Sequence, residues 1–351
     1  MKHYIGCDAH KKYSVFVTVN EHGQSGSVER VEHDRQLYRK YLTYLPPASP
    51  IAIESVGNWY WMIEEMEKAG HRPILVNPKK AKLLMGQINK TDKLDARGLA
   101  MLNLNGSLPA VWIPPAELRD QRELVRMRMS FVAIRTKLKN RIQATLGKYA
   151  LTIEVSDVFG KQGRLLLKEA LKELPPETQR SMEEHLKLLD QVSQQIEEIE
   201  KRVQQIVALT PQMQLLKTLP GVGNILAITI ALEIGEVSRF PDAMHLASYA
   251  GTVPRINSSG GKTYYGKVRT DINHYLKWAY VEAASGIAAQ AKRLEGRHVV
   301  TLLRRIQEHK GHPKAIVAVA RHLAEASYCM LKNSSPYQEP GKKRTVSTSR
   351  G

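Results

Sequence analysis

Residues 3–19, HYIGCDAHKKYSVFVTV, decide how the N-terminal part of this chain is read. The first half is apolar and closes at Asp8. A short polar turn follows, and Ser14 to Val19 then alternates, so the stretch predicts two strands joined by a tight connection. Working outward, residues 35–45 read as a helix. Pro50 to Glu54 (PIAIE) is a short buried strand, bounded by Pro46 and Pro47 before it and Gly57 after it. Residues 58–69 read as a helix ended by Gly70, and Arg72 to Val76 (RPILV) as a strand closed by Asn77 and Pro78. A helix runs through Lys82–Met85 and another spans about 92–104. Strands interleaved with helices in this order predict a mixed α/β layer over residues 1–112.

The composition is consistent with that layer and narrows the partner. In 351 residues the hydrophobic fraction is 42%, enough for a substantial core, while aromatics at 6% are few for an all-β protein. Lys and Arg number 52 against 34 Asp and Glu, a net charge of +18. Such an excess repels itself unless it faces something negative, and a phosphate polyanion is the natural partner; the bland alternative is a merely basic enzyme. The two cysteines, Cys7 and Cys329, offer no disulfide framework and no paired-cysteine metal site. The N-terminus lacks the apolar stretch of a secretory signal, and no run of about 18 apolar residues is present to cross a bilayer. These features predict a cytosolic chain with no membrane partner.

Beyond residue 112 the chain turns helical. Residues 117–148 hold nine basic residues, among them Arg126, Arg135 and Lys139, against three acids. This is a candidate phosphate-facing helix, or simply a solvated helix face. Residues 182–206 carry a heptad stripe: Met182, Leu189, Ile196 and Val203, with Val192, Ile199 and Ile206 as a second row interrupted by His185. The stripe predicts a coiled coil, within the chain or between chains; a long amphipathic helix packed inside its own domain is the alternative. Thr210 and Pro211 end it. The expected organisation is a helical and coiled-coil region over 113–210, a Gly-punctuated C-terminal domain over 211–333, and a disordered tail over 334–351.

Two constellations carry chemistry. Asp8 and Glu54 close separate strands, and Asp92 and Asp95 are three apart on one helix face. Carboxylates gathered in this way repel unless cations neutralise them, and an all-oxygen site that also takes phosphate suits Mg²⁺, with Mn²⁺ as a substitute. A ribonuclease-H-like fold places its acids in this manner. Singly, Asp8 could be a turn residue and Asp92 a helix cap. The second constellation is C-terminal. Leu219-Pro220-Gly221-Val222-Gly223 between two apolar segments resembles a helix-hairpin-helix module, whose glycines let backbone N–H groups approach phosphate; a tight turn between core helices reads equally well. Further on, Ser258-Ser259-Gly260-Gly261-Lys262 is expected to be a flexible, exposed loop. A serine there could attack phosphorus, with Arg255 or Lys262 offsetting charge, and Lys262, Lys267 and Arg269 suggest a phosphate-facing surface. A plain Ser/Gly linker is the competing reading.

Together these segments resemble the DEDD transposases of the one-ten insertion-sequence family, relatives of the Piv site-specific DNA invertase. The N-terminal match is Ile5-Gly6-Cys7-Asp8-Ala9-His10-Lys11, Ile53-Glu54-Ser55-Val56-Gly57 and Lys90-Thr91-Asp92-Lys93-Leu94-Asp95-Ala96. The C-terminal match is Leu219 to Gly223, Ala250-Gly251-Thr252-Val253-Pro254 and Ser258 to Lys262. The resemblance implies a RuvC-like N-terminal domain, a coiled-coil segment and a C-terminal transposase domain. It implies that Asp8, Glu54, Asp92 and Asp95 bind Mg²⁺, and that a serine bonds covalently to DNA. That serine maps to Ser259, with Ser258 as the competitor one residue away. It further implies donor and target double-stranded DNA as partners, a structured bridge RNA as guide, assembly as a homodimer or homotetramer, and action at the nucleoid in a bacterial cytoplasm. The rival reading from the acids alone is a RuvC-like, structure-specific nuclease, which has no use for the serine. A non-catalytic nucleic-acid-binding protein would have no use for the acids either.

Overall fold

A computed structural model describes residues 2–86 and 91–340, and of residues 257, 265 and 267 the backbone only. The chain divides into two compact units, Met1–Pro114 and Pro115–Gly351.

The first unit is built on a five-stranded sheet. Its strands are β1 (His3–Ala9), β2 (Tyr13–Asn20), β3 (Ser25–Glu32), β4 (Pro50–Glu54) and β5 (Arg72–Val76), in the order β3-β2-β1-β4-β5. β1 pairs antiparallel with β2 and parallel with β4, and β4 pairs parallel with β5. The helices are α1 (Arg35–Tyr44), α2 (Trp59–Lys68), α3 (Pro78–Met85) and α4 (Asp92–Leu104). They cover both faces. Ile5, Cys7, Ile51 and Ile53 pack with Tyr38 and Leu42 of α1 and Met62, Ile63 and Met66 of α2. On the opposite face Ala52 and Val76 pack with Ala81, Leu99 and Leu102 of α3 and α4. Burial on both faces is why β1, β2 and β4 read as apolar runs. This mixed α/β unit is consistent with the RuvC-like expectation. β3 was not anticipated: SGSVERVE is an exposed edge strand with Val31 its one buried residue, so it lacks the apolar signal of the others.

Two local features bring α4 to the acids. Gly6 is required by a close approach, since a Cβ there would lie 1.9 Å from the Ala96 carbonyl oxygen of α4. The α4 backbone therefore lies directly on β1. Thr91, not Asp92, caps α4, its hydroxyl accepting from the Leu94 N–H at 3.3 Å. Asp92 and Asp95 thus occupy the first turn, where the helix dipole favours negative charge.

The second unit is mainly helical: α5 (Ala116–Lys148), α6 (Lys161–Ala170), α7 (Pro176–Ile206), α8 (Pro211–Leu216), α9 (Asn224–Ile234), α10 (Ala243–Tyr249), α11 (His274–Ala289), α12 (His298–Lys310) and α13 (His312–Asn333). Between α10 and α11 stands a two-stranded hairpin of β6 (Pro254–Ser259) and β7 (Lys262–Val268). The heptad stripe of α7 is occupied by α5 of the same chain. Leu138, Ile142 and Leu146 meet Met182 and Leu189 at one end, and Val125 meets Ile199 and Val203 at the other. The two helices therefore run antiparallel, and the stripe is internal packing rather than a seam left open for a second chain. Val125, Val203, Met213, Ile228 and Leu232 share one cluster, which joins α5 and α7 to α8 and α9. A larger core is formed by α8 to α13.

The helix-hairpin-helix expectation meets a different geometry. α8 has six residues, and Gly221 serves packing: at φ +75 its absent Cβ would lie 2.4 Å from the Ala283 carbonyl oxygen of α11. Gly223 caps α9 and has open space around it. Of the expected tail, Ser334 to Pro340 are described, and the Arg297 guanidinium donates to Glu339 at 2.7 Å there; residues 341–351 lie outside the described residues.

Candidate active site

Asp8 is the penultimate residue of β1 and is buried. Because Cys7 pairs with Ile53, Glu54 closes the neighbouring parallel strand beside Asp8. Side chains alternate across a sheet, so Gly6, Asp8, Ala52 and Glu54 share the face that α4 covers. The four predicted acids therefore belong to one side of one sheet end, with Asp92 and Asp95 supplied by the start of α4.

Within that end, three groups come closest. One oxygen of Asp8, one of Asp92 and a nitrogen of His10 lie within 4.8 Å of one another. His10 Nε2 is 3.2 Å from Asp8 Oδ2 and 3.2 Å from Asp92 Oδ2. Glu54 and Asp95 are not part of this trio. His10 was quoted in the motif but not singled out by sequence reasoning. The signal was parity: a residue two places after Asp8, just past the strand, falls on the same side of the sheet. Tyr13 was also missed. Its hydroxyl donates to Asp92 Oδ2 at 2.9 Å, and that hydrogen bond raises the tyrosine pKa, so its proton stays in place and orients the carboxylate. The Arg30 guanidinium lies 3.7 Å from the Tyr13 ring centroid. Cys7, on the other face, is inert: burial pushes its thiol up to about 12.

The donor chemistry fits a divalent cation. Two carboxylates and an imidazole converge, and His10 Nε2 is buried yet has no hydrogen-bond partner among the described residues. A buried nitrogen facing two carboxylate oxygens is placed to share a cation with them. Lys90 of the motif lies outside the described residues.

In the second unit, the expected flexible Ser-Gly loop is a hairpin. Gly260 at φ +57 and Gly261 at φ +76 form a two-residue turn of the kind that only positive-φ residues make readily. Ser259 pairs with Lys262 and Ser258 with Thr263 across it. Both serines are exposed, at the last two positions of β6, and Ser258 Oγ is 3.4 Å from Thr263 Oγ1. The sequence Ser-Ser-Gly-Gly has no apolar alternation, which is why it read as a loop or linker. The helix ends that flank the hairpin are tied together. The Asn273 N–H donates to the Tyr249 carbonyl at 2.8 Å, and the Asn273 side-chain amide donates to Glu233 Oε2 at 2.8 Å and to Tyr249 Oη at 3.1 Å.

The predicted nucleic-acid contacts divide. Arg126 is engaged in the interior: its Nε and Nη2 donate to the buried Glu233 carboxylate at 2.8 and 3.1 Å, and its guanidinium lies 4.5 Å from the Tyr275 ring centroid. Arg135 and Lys139 are half-buried on α5, and Lys139 Nζ lies 4.9 Å from the Phe159 ring centroid. Arg255 and Lys262 are exposed on the hairpin. Arg269 is exposed at the hairpin base and donates to Asp271 Oδ1 at 2.9 Å. Lys267 belongs to β7, but its side chain lies outside the described residues.

Comparison with known proteins bears on the family of the chain. A family model described as "Transposase", of the DEDD type, matches residues 5–150, and one described as "Transposase IS116/IS110/IS902 family" matches residues 213–299. Each contains one of the two constellations. The chain is similar to a probable family 20 transposase of Pseudomonas aeruginosa, at 26% identity over 85% of this chain and 89% of the relative. It is similar to the transposase for insertion sequence element IS1328 of Yersinia enterocolitica, at 24% identity over 95% of this chain and 98% of the relative. A pilin gene-inverting protein of Moraxella bovis matches over 42% of this chain and 46% of its own length at 27% identity. With the acids on one sheet end and both motif sets matched in order, the chain belongs to the IS110/IS116/IS902 family of DEDD transposases, enzymes that cleave and join DNA strands.

Proposed function

We propose that this transposase recombines DNA through a serine–DNA intermediate, with a divalent metal held by Asp8, Glu54, Asp92 and Asp95. The observation that carries the metal half of the reading is the gathering of Asp8, His10 and Asp92 at one sheet end. Mg²⁺, or Mn²⁺ in its place, bound there would offset charge on the scissile phosphate and favour ionisation of an attacking hydroxyl. In the cleavage step, Oγ of Ser259 forms a bond to phosphorus and the strand's own P–O bond breaks. The serine proton is given up, and the departing strand oxygen takes one. Ser258 is the alternative nucleophile by one position. Joining reverses this, as a strand hydroxyl attacks phosphorus and serine leaves. The number of phosphoester bonds is conserved, so no ATP is needed. The exposed placement of both serines and of Lys262 supports the assignment.

Donor and target double-stranded DNA are the substrates in this reading, and a structured bridge RNA is the guide. The net charge of +18 supports polyanion partners. Arg255, Lys262, Lys267, Arg269, Arg135 and Lys139 are the proposed backbone contacts, together with Gly223 at the exposed start of α9. A homodimer or homotetramer would bring two DNA ends together, and the work is done at the bacterial nucleoid. Among the described residues no helix is long and apolar enough to cross a membrane.

The test is a strand cleavage and joining assay on the element's own ends with the full chain. Asp8→Ala and Asp92→Ala should each reduce product by about 10³-fold or more, in line with losing metal-held charge stabilisation, and EDTA should do the same to the unmodified protein. Circular dichroism should be unchanged. Full activity in EDTA, or in both variants, would refute the metal site.

A further inference from the structure

We propose that His10 supplies a nitrogen ligand to the metal, so that the site is a mixed nitrogen–oxygen one with a preference for Mn²⁺ over Mg²⁺. The inference rests on the metal reading above and concerns a residue outside its four acids.

The geometry carries it. Cis ligands of an octahedral ion at about 2.1 Å are about 3 Å apart. His10 Nε2 stands 3.2 Å from Asp8 Oδ2 and 3.2 Å from Asp92 Oδ2, each close to the separation of cis donors around one ion, and the three groups lie within 4.8 Å of one another. The nitrogen is buried and makes no hydrogen bond among the described residues. The ring is also held in position. The His10 N–H donates to the Tyr13 carbonyl at 2.9 Å, and the Asn58 side-chain amide donates to the His10 carbonyl at 2.8 Å, which fixes the turn between β1 and β2. The imidazole packs on Tyr13 at a centroid distance of 4.7 Å, and Tyr13 in turn orients Asp92. Imidazole is a better donor to first-row transition ions than to Mg²⁺, which prefers oxygen. One nitrogen among carboxylates therefore shifts selectivity towards Mn²⁺ while leaving Mg²⁺ able to bind.

The test needs no DNA. Mn²⁺ is added to the full chain and pulsed electron paramagnetic resonance reads nuclei bonded to the ion, with calorimetric titration giving its affinity. The expected result is a directly coordinated ¹⁴N coupling, replaced by ¹⁵N when histidine is ¹⁵N-labelled. In His10→Ala this coupling should vanish and Mn²⁺ affinity should fall by tenfold or more, on the order seen when support of a metal ligand is lost, while Mg²⁺ affinity changes less. His10→Gln offers an oxygen at similar reach. It should lose the nitrogen coupling and keep more of the affinity, and this guards against a folding defect in the alanine variant. Mn²⁺ that binds in an Asp8-dependent way without nitrogen coupling would overturn the role of His10 alone. So would a nitrogen coupling that survives in His10→Ala. Mn²⁺ binding unaffected by Asp8→Asn would overturn the metal site itself, and this proposal with it.

Discussion

Gly6 shows how a single residue sets the site. It lies two places before Asp8 on β1, against the α4 backbone. In Gly6→Ala the added methyl would meet a carbonyl oxygen of a packed helix, which cannot swing aside as a side chain can. The expected cost is about 3 kcal/mol, the upper end for overpacking, read as a lower denaturation midpoint, with α4 and its two aspartates displaced from β1. A midpoint equal to the unmodified protein would show that α4 does not depend on this contact. The positions of the acids, Asp8 and Glu54 at strand ends and Asp92 and Asp95 in the first turn of α4, were legible because the apolar pattern marks those elements. His10 was not, since a lone histidine in a polar turn has no pattern of its own. Arg126 misled for a related reason: its partner Glu233 is 107 positions away. Sequence shows a basic residue among others on a helix, and only the fold shows that this one is neutralised in the interior.

At the scale of elements, the long helices were read well and their partnership was not. The residues at 182–206 announce a heptad stripe, but periodicity cannot say whether the surface that fills it belongs to the same chain. Here α5 fills it. Ile199 is 5% exposed, facing Val125. Ile199→Ala should therefore destabilise the chain by about 2–4 kcal/mol through lost burial and a cavity, measured by chemical denaturation, and should leave the molecular mass in solution unchanged. A shift in mass without a change in stability would return the stripe to an intermolecular role. The strands divide in the same way. β1, β2, β4 and β5 have apolar residues to show, because both faces of the sheet are covered. β3 and the β6–β7 hairpin are exposed, and their residues are chosen for solvent or for function. In the hairpin, the two glycines that looked like linker composition are the turn that pairs Ser259 with Lys262.

At the scale of the molecule, the chain carries an acid cluster in its first compact unit and an exposed serine hairpin in its second. A nuclease needs the first alone. A hydroxyl is a weak nucleophile near neutral pH and needs activation. The sequence-nearest histidines, His245 and His274, are both more than ten residues from Ser259. In the proposed function a metal at the acid site supplies that activation, which would explain why one chain has both. The most direct measurement is to trap the reaction on a suicide DNA substrate, digest the protein and search for a nucleotide adduct by mass spectrometry. The account predicts an adduct on Ser259, absent in Ser259→Ala and in Asp8→Ala; an adduct on Ser258 instead would move the nucleophile by one position. DNA cleavage that proceeds at full rate with no adduct on either serine would contradict it.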